Sequence, residues 1–289
     1  MHSDVLRRRG RGQITITVQS MADPSLTQLL GSAKVYDLGQ CYWSGMPVHP
    51  FDPPYQYFLF DYHEHVLKDL GKIEPGFSHA IGMMITSMHA GTHFDAPVHM
   101  SQDLKVQGVD ITPYQRGTGF VDLPEPLHSM EKVPPLVLRA VMYDIPALKG
   151  TDILPERYSI TVDDLEEAAS SQRVELNEGD CAIVRTGYGR LFESDGDRYL
   201  HRWAGLSPEA VRWLARKKPR LVGTDNLSLG CPDLFDAHRV LLIENGIYVM
   251  KSLYLEELAA DRKYVSTIIV LPLKIKGGEA SLVRPVAIT

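Results

Sequence analysis

The chain has few cysteines and no long apolar run. Its three cysteines, Cys41, Cys181 and Cys231, are widely spaced and form no Cys-x-x-Cys pair, which argues against a disulfide framework and against a cysteine zinc site. No apolar segment approaches the ~20 residues that cross a bilayer, and residues 1–20 lack the apolar core of a secretory signal. We therefore expect a protein of the reducing cytoplasm with no membrane partner.

The chain also has no excess of basic over acidic residues. The formal net charge is −6 at pH 7 and the sequence pI is about 6.0, whereas a protein that binds DNA or RNA presents a clearly basic surface. We expect a small-molecule substrate as partner and no nucleic acid. The one basic cluster, Arg7 to Arg11, lies in residues 1–20, which we predict to be a disordered basic extension; an organelle-targeting signal or a nucleic-acid arm is the alternative.

Residues 21–289 read as one domain. The apolar content of 44% is ample for a core, and the chain has no internal repeat and no low-complexity linker. Strands are predicted at 13–18, 34–38, 80–88, 136–144, 181–189, 221–225, 246–250 and 266–275. Helices are predicted at 160–172, 207–218 and 235–245, with Thr161 and Ser207 as the first two N-caps. This alternation predicts an α/β fold in which a barrel-like central sheet is covered by helices.

Residues 89–99, with the sequence HAGTHFDAPVH, combine three histidines with one aspartate. Neutral imidazole nitrogens and carboxylate oxygens are ligands of divalent zinc, manganese or iron, and three such ligands beside an open position are typical of hydrolytic metal centres. The alternative is a loop whose histidines bond backbone carbonyls. Four ligand-type side chains within one short loop favour the metal site.

The spacing assigns roles within this loop. If the chain is extended from Thr92, His93 and Asp95 point to the same face. A bend at Gly91 returns His89 to that face. We therefore take His89, His93 and Asp95 as metal ligands.

The far end of the loop behaves differently. Pro97 excludes regular helix there and leaves His99 displaced from the ligand cluster. The apolar strand predicted at 80–88 runs directly into the loop, so we expect the cluster at a strand end that holds its first ligand rigidly.

Two further regions supply candidate site residues. Residues 40–57 carry four prolines among five aromatic residues, and we assign Trp43, Tyr42 and Phe51 to substrate contact; packing in a core or a subunit contact is the equal alternative. His238 shares a helix face with leucines at i+3 and i+4, which predicts burial. A core histidine bonded to a carbonyl is the alternative there.

The loop follows the pattern H-x-G-T-H-x-D-x-P-x-H, and by it the chain resembles the cyclase family of metal-dependent hydrolases, which includes bacterial kynurenine formamidases and isatin hydrolases. The resemblance covers most of residues 34–289. It continues through the segments VYDLGQ, SGMPVHP, DILPERYSITVDDLE, GDCAIVRTGYGR, LVGTDNLS, AHRVLLIENGIYV and LPLKIKGGEASLVRPVAI.

The resemblance implies a swivelling β/β/α fold and a homo-oligomer, a dimer or a tetramer. It also implies that His89, His93 and Asp95 are metal ligands and that His99 is the general acid/base. His238 matches a downstream histidine that acts as a ligand or as a proton relay.

Lys251 stands where the formamidase branch of the family has a glutamate that completes a second zinc site. A divalent cation and an ammonium group ~4 Å apart repel by roughly 8 kcal/mol at an effective dielectric of about 20. We therefore expect one divalent ion, zinc or manganese, per active site. In a bolder version of this prediction, the Lys251 ammonium replaces the second cation and contacts the substrate as an electrophile for the developing oxyanion. The alternatives are that Lys251 points to solvent or that Met250 occupies this position.

These residues predict a metal-dependent hydrolase that cleaves an amide carbon–nitrogen bond, linear or cyclic, or a lactone, in a small aromatic substrate. An arylformamidase acting on N-formylkynurenine is the rival within enzymes. A non-catalytic protein that binds a metal or a small molecule is the rival from another class.

Overall fold

The computed structural model describes Gln28 and residues 31–70 and 72–289. The chain divides into two units, and every element below belongs to the second unit, Val35–Thr289. The predicted basic extension over residues 1–20 and the strand predicted at 13–18 lie outside the described residues. They stay predictions, as does a single domain over 21–289.

The strands of the second unit are short apart from one of nine residues. They are β1 (Val35–Asp37), β2 (Gln56–Asp61), β3 (Ile81–Ile85), β4 (His93–Asp95), β5 (Lys105–Val106), β6 (Val109–Asp110), β7 (Gln115–Arg116), β8 (Gly119–Phe120), β9 (Leu136–Asp144), β10 (Ser159–Ile160), β11 (Cys181–Arg185), β12 (Gly205–Leu206), β13 (Leu221–Thr224), β14 (Tyr248–Lys251), β15 (Val265–Val270), β16 (Ala280–Leu282) and β17 (Val286–Ile288).

Helices alternate with these strands. They are α1 (His63–Leu70), α2 (Ile145–Lys149), α3 (Val162–Gln172), α4 (Leu191–Ser194), α5 (Gly196–His201), α6 (Pro208–Arg216), α7 (Leu234–His238) and α8 (Glu256–Ala260). A π-helix over Arg239–Glu244 continues α7. Short 3₁₀ turns include Pro97–His99, directly after β4. Among the described residues, no helix has the length and apolarity needed to span a bilayer.

A nine-stranded sheet, curled into half a barrel, organises the unit. Its strand order is β1-β17-β15-β9-β11-β13-β14-β4-β16. The central strands β9, β11, β13 and β14 are parallel, and antiparallel strands flank them on both sides. All five residues of β11, with the sequence CAIVR, are buried, as expected for a parallel strand covered on both faces.

Each face of the sheet carries its own core. The first apolar cluster includes Leu165 of α3 and Leu214 of α6. The second includes Phe94 of β4 and Tyr248 of β14, which lie on the opposite face of the sheet. The α/β fold with a barrel-like sheet covered by helices, as predicted from the sequence, is confirmed.

Helix caps predicted from the sequence are present. The Thr161 hydroxyl accepts a hydrogen bond from the Asp164 amide at 3.1 Å, and the Asp164 carboxylate accepts one from the Thr161 amide at 2.9 Å. This reciprocal pair begins α3. Ser207 caps α6 through a single hydrogen bond, which its hydroxyl accepts from the Ala210 amide at 3.1 Å, with Pro208 in the first turn.

Most predicted elements appear with shifted ends. Six predicted strands correspond to β1, β9, β11, β13, β14 and β15, and the helix predicted at 235–245 corresponds to α7 with its π-helical continuation. The strand predicted at 266–275 ends at Val270, before Pro272, whose missing amide hydrogen cannot continue a ladder.

One prediction about the ligand loop is wrong. The apolar segment 80–88 forms β3, which ends at Ile85. Among the described residues β3 pairs only with β2, in a two-stranded ribbon apart from the main sheet. All five residues of β3 are exposed. The sequence could not show this, because an apolar run by itself does not distinguish a core strand from a surface strand. The strand that holds the metal-site residues in the main sheet is β4.

We expect Asp164→Asn to lower stability by about 1 kcal/mol at pH 7, the usual loss for a helix N-terminal cap. Burial raises the pKa of Asp164, but hydrogen bonds from Lys149 and Thr161 outweigh it and bring the pKa below 3.8. A lowered carboxyl pKa stabilises the fold above the unfolded-state value and loses this contribution as the pH falls through the folded-state value.

Chemical denaturation at pH 7 and at pH 3 should therefore show a difference from the wild type that shrinks in acid. Asp163→Asn is the matched control, since Asp163 is exposed in the same first turn. An equal loss in the two variants, or a difference that grows in acid, would contradict this account of the cap.

Candidate metal centre

The short strand β4 sets the geometry of the centre because it is paired on both sides. His93 lies opposite Lys251 of β14 on one side and opposite Leu282 of β16 on the other. Alternation along β4 sends Phe94 into the core, where its ring centroid lies 5.0 Å from that of Tyr248. His93 and Asp95 therefore share the other face, together with Lys251.

The turn before β4 is shaped by Gly91 and Thr92. Gly91 has φ +56°, and a Cβ atom there would lie 2.8 Å from ring atoms of Tyr42. The Tyr42 hydroxyl donates a hydrogen bond to the Thr92 carbonyl at 2.6 Å. The Thr92 hydroxyl donates to the Ser252 carbonyl at 2.6 Å and accepts from the Gln40 amide at 2.8 Å. The ligand loop is thus tied to the residue that follows Lys251.

Asp95 is fully buried and presents its two oxygens to two different groups. On one side, Oδ1 lies 3.1 Å from Nδ1 of His89 and 3.6 Å from Nε2 of His93. On the other side, Oδ2 lies 3.1 Å from the Lys251 ammonium and 3.8 Å from Nε2 of His238. The contact with Lys251 is an ion pair without hydrogen-bond geometry. The carboxylate therefore lies between His89 and His93 on one side and Lys251 and His238 on the other.

Two histidines are held by backbone carbonyls through Nδ1. His93 Nδ1 lies 2.8 Å from the Gly91 carbonyl, and His238 Nδ1 lies 3.0 Å from the Leu234 carbonyl. A carbonyl only accepts, so each Nδ1 carries the proton and each Nε2 keeps its lone pair. His93 Nε2 is buried with no hydrogen-bond partner, and His238 Nε2 lies 3.1 Å from the Lys251 ammonium.

His99 lies close to the predicted ligands. It ends the 3₁₀ turn that begins at Pro97, and its ring centroid lies 3.9 Å from that of His89. Ligand atoms of His89, Asp95 and His99 all lie within 4.8 Å of one another. The structure thus brings together the predicted ligands and the predicted base, and places His99 as near to Asp95 as a ligand would be.

The electrostatics leave most of these histidines neutral at pH 7. Burial lowers the pKa of His93 to about 3 and that of His238 to about 4. Burial likewise holds the pKa of His99 well below its usual range. Burial raises the pKa of Asp95, but the charge of Lys251 and the surrounding histidines together outweigh burial and keep this pKa well below 3.8. The centre therefore combines an ionised carboxylate with neutral imidazoles that offer lone pairs.

His89 differs because it faces two carboxylates. Burial lowers the pKa of His89, but the carboxylates of Asp95 and Glu279 outweigh it and raise the pKa to about 9. Its Nε2 lies 3.7 Å from a Glu279 oxygen. Glu279 precedes β16 and escaped prediction, because no local pattern connects it to a loop 180 residues earlier.

A cavity of about 310 Å³ opens over these side chains. Of the three aromatic residues predicted to contact substrate, Phe51 lines it and is 92% exposed. Phe235, which sequence reasoning missed, lines it as well and is 61% exposed. The residues lining the cavity are His49, Phe51, Asp52, His89, His93, His99, Met100, Leu227, Leu234, Phe235, His238 and Lys251.

The other two predicted substrate contacts lie elsewhere. Tyr42 packs on Gly91 and bonds the Thr92 carbonyl. Trp43 packs edge-on against Phe192, with ring centroids 5.4 Å apart, at the border of the first core cluster. Neither lines the cavity, so both have the core-packing role that was the alternative in the sequence.

Most of the chain matches one known protein family. Residues 36–230 match the family described as "Putative cyclase". The chain belongs to the cyclase family. This confirms the resemblance found in the sequence.

Individual relatives extend the match beyond residue 230. A kynurenine formamidase of Erythrobacter litoralis is 24% identical over 255 residues, which cover 88% of this chain and 93% of the relative. An isatin hydrolase of Roseibium aggregatum is 24% identical over 271 residues, covering 90% and 93%. A crystal structure of a novel cyclase superposes with a TM-score of 0.79 at 25% identity, covering 92% of this cyclase-family chain and 91% of its own. The predicted hydrolase class is confirmed by these relatives.

Gly91→Ala tests how the turn positions the ligands. Gly91 has a left-handed φ that disfavours alanine, and the new Cβ would clash with the Tyr42 ring. We therefore expect a loss of about 2 kcal/mol or more in stability together with weaker zinc binding. Thermal unfolding and zinc titration measure the two effects.

Gly150→Ala is the matched control, because Gly150 has φ +66° and nothing lies within 4 Å of the new Cβ. It should lose stability through the backbone alone and keep its zinc affinity. Equal behaviour of the two variants in both measurements would show that the Tyr42 contact does not shape the site.

Proposed function

We propose that this chain is a metal-dependent hydrolase that cleaves an amide carbon–nitrogen bond, linear or cyclic, in a small aromatic substrate. The observation that carries the proposal is the buried Asp95 carboxylate with His89 and His93 at one oxygen and Lys251 at the other. It lies beneath a cavity that has aromatic side chains at Phe51 and Phe235.

The residues fit a metal ion. His93 Nε2 is buried without a hydrogen-bond partner and faces the side of Asp95 where His89 also lies. Such an atom costs free energy unless a cation or a donor meets it. Its Nδ1 contact with the Gly91 carbonyl is the support that metal-binding histidines usually have. We propose His89, His93 and Asp95 as ligands, with His99 near enough to join them.

A divalent ion held there would supply Lewis-acid polarisation of the substrate carbonyl and a water of lowered pKa. His99 takes a proton from the attacking water and returns it to the leaving nitrogen, since it is neutral and lines the cavity. His238 Nε2, which also faces the cavity, orients the water or passes the proton outward.

Lys251 acts as a built-in cation on the second side of Asp95. Its ammonium lies 3.1 Å from Oδ2 and 3.1 Å from His238 Nε2, the two atoms that a second metal ion would need. Repulsion between an ammonium group and a divalent cation at such distances excludes that ion. We therefore propose one ion per active site, zinc or manganese by the chemistry of its ligands. The lysine charge then faces the cavity where a substrate oxygen develops negative charge.

The cavity favours a flat apolar substrate. It is lined by the side chains of Leu227, Leu234 and Phe235 and by Phe51, so one ring fits between apolar walls while its carbonyl faces the histidines. The names of the relatives, a kynurenine formamidase and an isatin hydrolase, agree with an aromatic amide. Hydrolysis of an aromatic lactone needs the same groups and is the second candidate.

We also propose that the protein is a homo-oligomer and that it is located in the cytoplasm.

Turnover assays test the reaction. We expect zinc- or manganese-loaded protein to hydrolyse at least one member of a panel of N-formylkynurenine, isatin and an aromatic lactone, and to stop when a chelator removes the metal. Preference for N-formylkynurenine would indicate an arylformamidase. Metal-loaded protein that binds these compounds without converting any of them would instead indicate a non-catalytic binding protein.

His99→Gln tests the assignment of the base. Loss of a general acid/base typically reduces kcat by 10²–10⁴-fold, and we expect a loss of that order with metal content retained. His201→Gln is the control, because His201 is exposed on α5. A kcat within about threefold of the wild type would contradict the role of His99.

A further inference from the structure

Glu279 directly precedes β16 and lies beside the ligand loop. Its backbone carbonyl accepts a hydrogen bond from the Ala96 amide at 2.9 Å, and the next residue, Ala280, is paired with Asp95 in the sheet. Its side-chain Oε1 lies 3.7 Å from Nε2 of His89. Sheet pairing therefore places this carboxylate beside a proposed metal ligand that is distant in sequence.

Glu279 lies outside both the ligand group and the cavity. Among the described residues, the side chains whose possible ligand atoms lie within 4.8 Å of one another are His89, Asp95 and His99, and Glu279 does not belong to them. It is also absent from the described residues that line the cavity over the centre. Glu279 therefore acts on the centre through His89.

The other ring nitrogen of His89 faces the ligand group. Nδ1 of His89 lies 3.1 Å from Oδ1 of Asp95, and Nε2 of His93 lies 3.6 Å from the same oxygen. Two ligand atoms on one tetrahedral zinc ion, each bound at about 2.0–2.2 Å, lie roughly 3.3–3.6 Å apart. Both measured distances are close to that spacing. A proton on Nε2 of His89 leaves the lone pair of Nδ1 for the ion, because a neutral imidazole has one N–H group and one lone pair.

His89 and His93 have different supports. His93 Nδ1 bonds the Gly91 carbonyl at 2.8 Å, whereas in the described part of the chain no backbone carbonyl bonds a ring nitrogen of His89, and the group at its Nε2 is the Glu279 carboxylate. A metal-bound histidine usually donates its other N–H to a carboxylate, a carbonyl or a water molecule. Glu279 is in the position of that partner.

We propose that Glu279 is a positioning residue of the metal centre: its carboxylate accepts the Nε2 proton of His89, so that His89 binds the ion through Nδ1. The 3.7 Å separation is longer than a hydrogen bond, and the Glu279 side chain, which is 39% exposed, closes it by a change of rotamer. The inference rests on the proposed function, because it takes His89 as a ligand of the catalytic ion.

Zinc affinity of the full chain, measured by competition with a chromophoric chelator, is the first test. We expect Glu279→Leu to bind zinc about 10–100-fold more weakly, the usual loss when the partner of a metal-bound histidine is removed. Glu279→Gln keeps an oxygen that accepts the Nε2 proton, so its affinity should stay within about threefold of the wild type. Glu178→Leu is the control, since the Glu178 side chain is 73% exposed on the loop before β11, and it should bind zinc as the wild type does.

Nitrogen-15 NMR of the histidine rings reports the tautomer directly. The signals of His89 are assigned by their loss in His89→Gln. In the zinc-loaded wild type, His89 should carry its proton on Nε2, and this proton should exchange with solvent faster in Glu279→Leu, where nothing accepts it. A His89 ring that carries its proton on Nδ1 in the zinc-loaded wild type would overturn the proposal.

The outcomes separate this inference from the proposed reaction. Wild-type zinc affinity in Glu279→Leu would overturn the positioning role and leave the hydrolase proposal intact. Equal losses in Glu279→Leu and Glu279→Gln would also overturn it, because the negative charge and not the accepted hydrogen bond would then set the affinity. The predicted affinities and tautomer, in metal-loaded protein that converts no amide or lactone, would support the positioning role and refute the reaction alone.

Discussion

The site depends on one buried negative charge. Asp95 is fully buried and stays ionised, which would cost several kcal/mol without compensation. Compensation comes from Nδ1 of His89 at one oxygen and from the Lys251 ammonium at the other. The pairing of β4 between β14 and β16 fixes these contacts, because it sets Lys251 opposite His93. An unpaired carboxylate at this depth would not persist, so sheet register and site chemistry depend on each other.

Local patterns were sufficient for much of the fold. Continuous apolar runs identified the central parallel strands, and the Thr161 and Ser207 caps located two helices, because these signals arise from neighbouring residues. The strand predicted at 80–88 was expected to hold the first ligand, but β3 ends at Ile85 and lies outside the main sheet, because strand pairing depends on residues distant in sequence. The three proposed ligands and His99 could be found from one loop. Glu279 and Phe235 could not, because only the folded sheet brings them to that loop.

The aromatic residues of the loop after β1 have divided functions. Tyr42 supports Gly91 and Thr92, and Trp43 packs against Phe192. Phe51 alone among the three predicted contacts reaches the cavity. Tyr42 thus supports the ligand loop and Trp43 packs at the core, while Phe51 and Phe235 are aromatic side chains that line the cavity. Composition indicated an aromatic surface near the site but did not indicate which rings face it.

The number of metal ions per chain tests the central claim most directly. Protein loaded with excess zinc and then desalted should contain one ion per chain by mass spectrometry, and anomalous diffraction at the zinc edge should place that ion at Asp95 on the side of His89 and His93. A reproducible value of two, with the second ion between Asp95 and His238 and Lys251 displaced, would contradict the account.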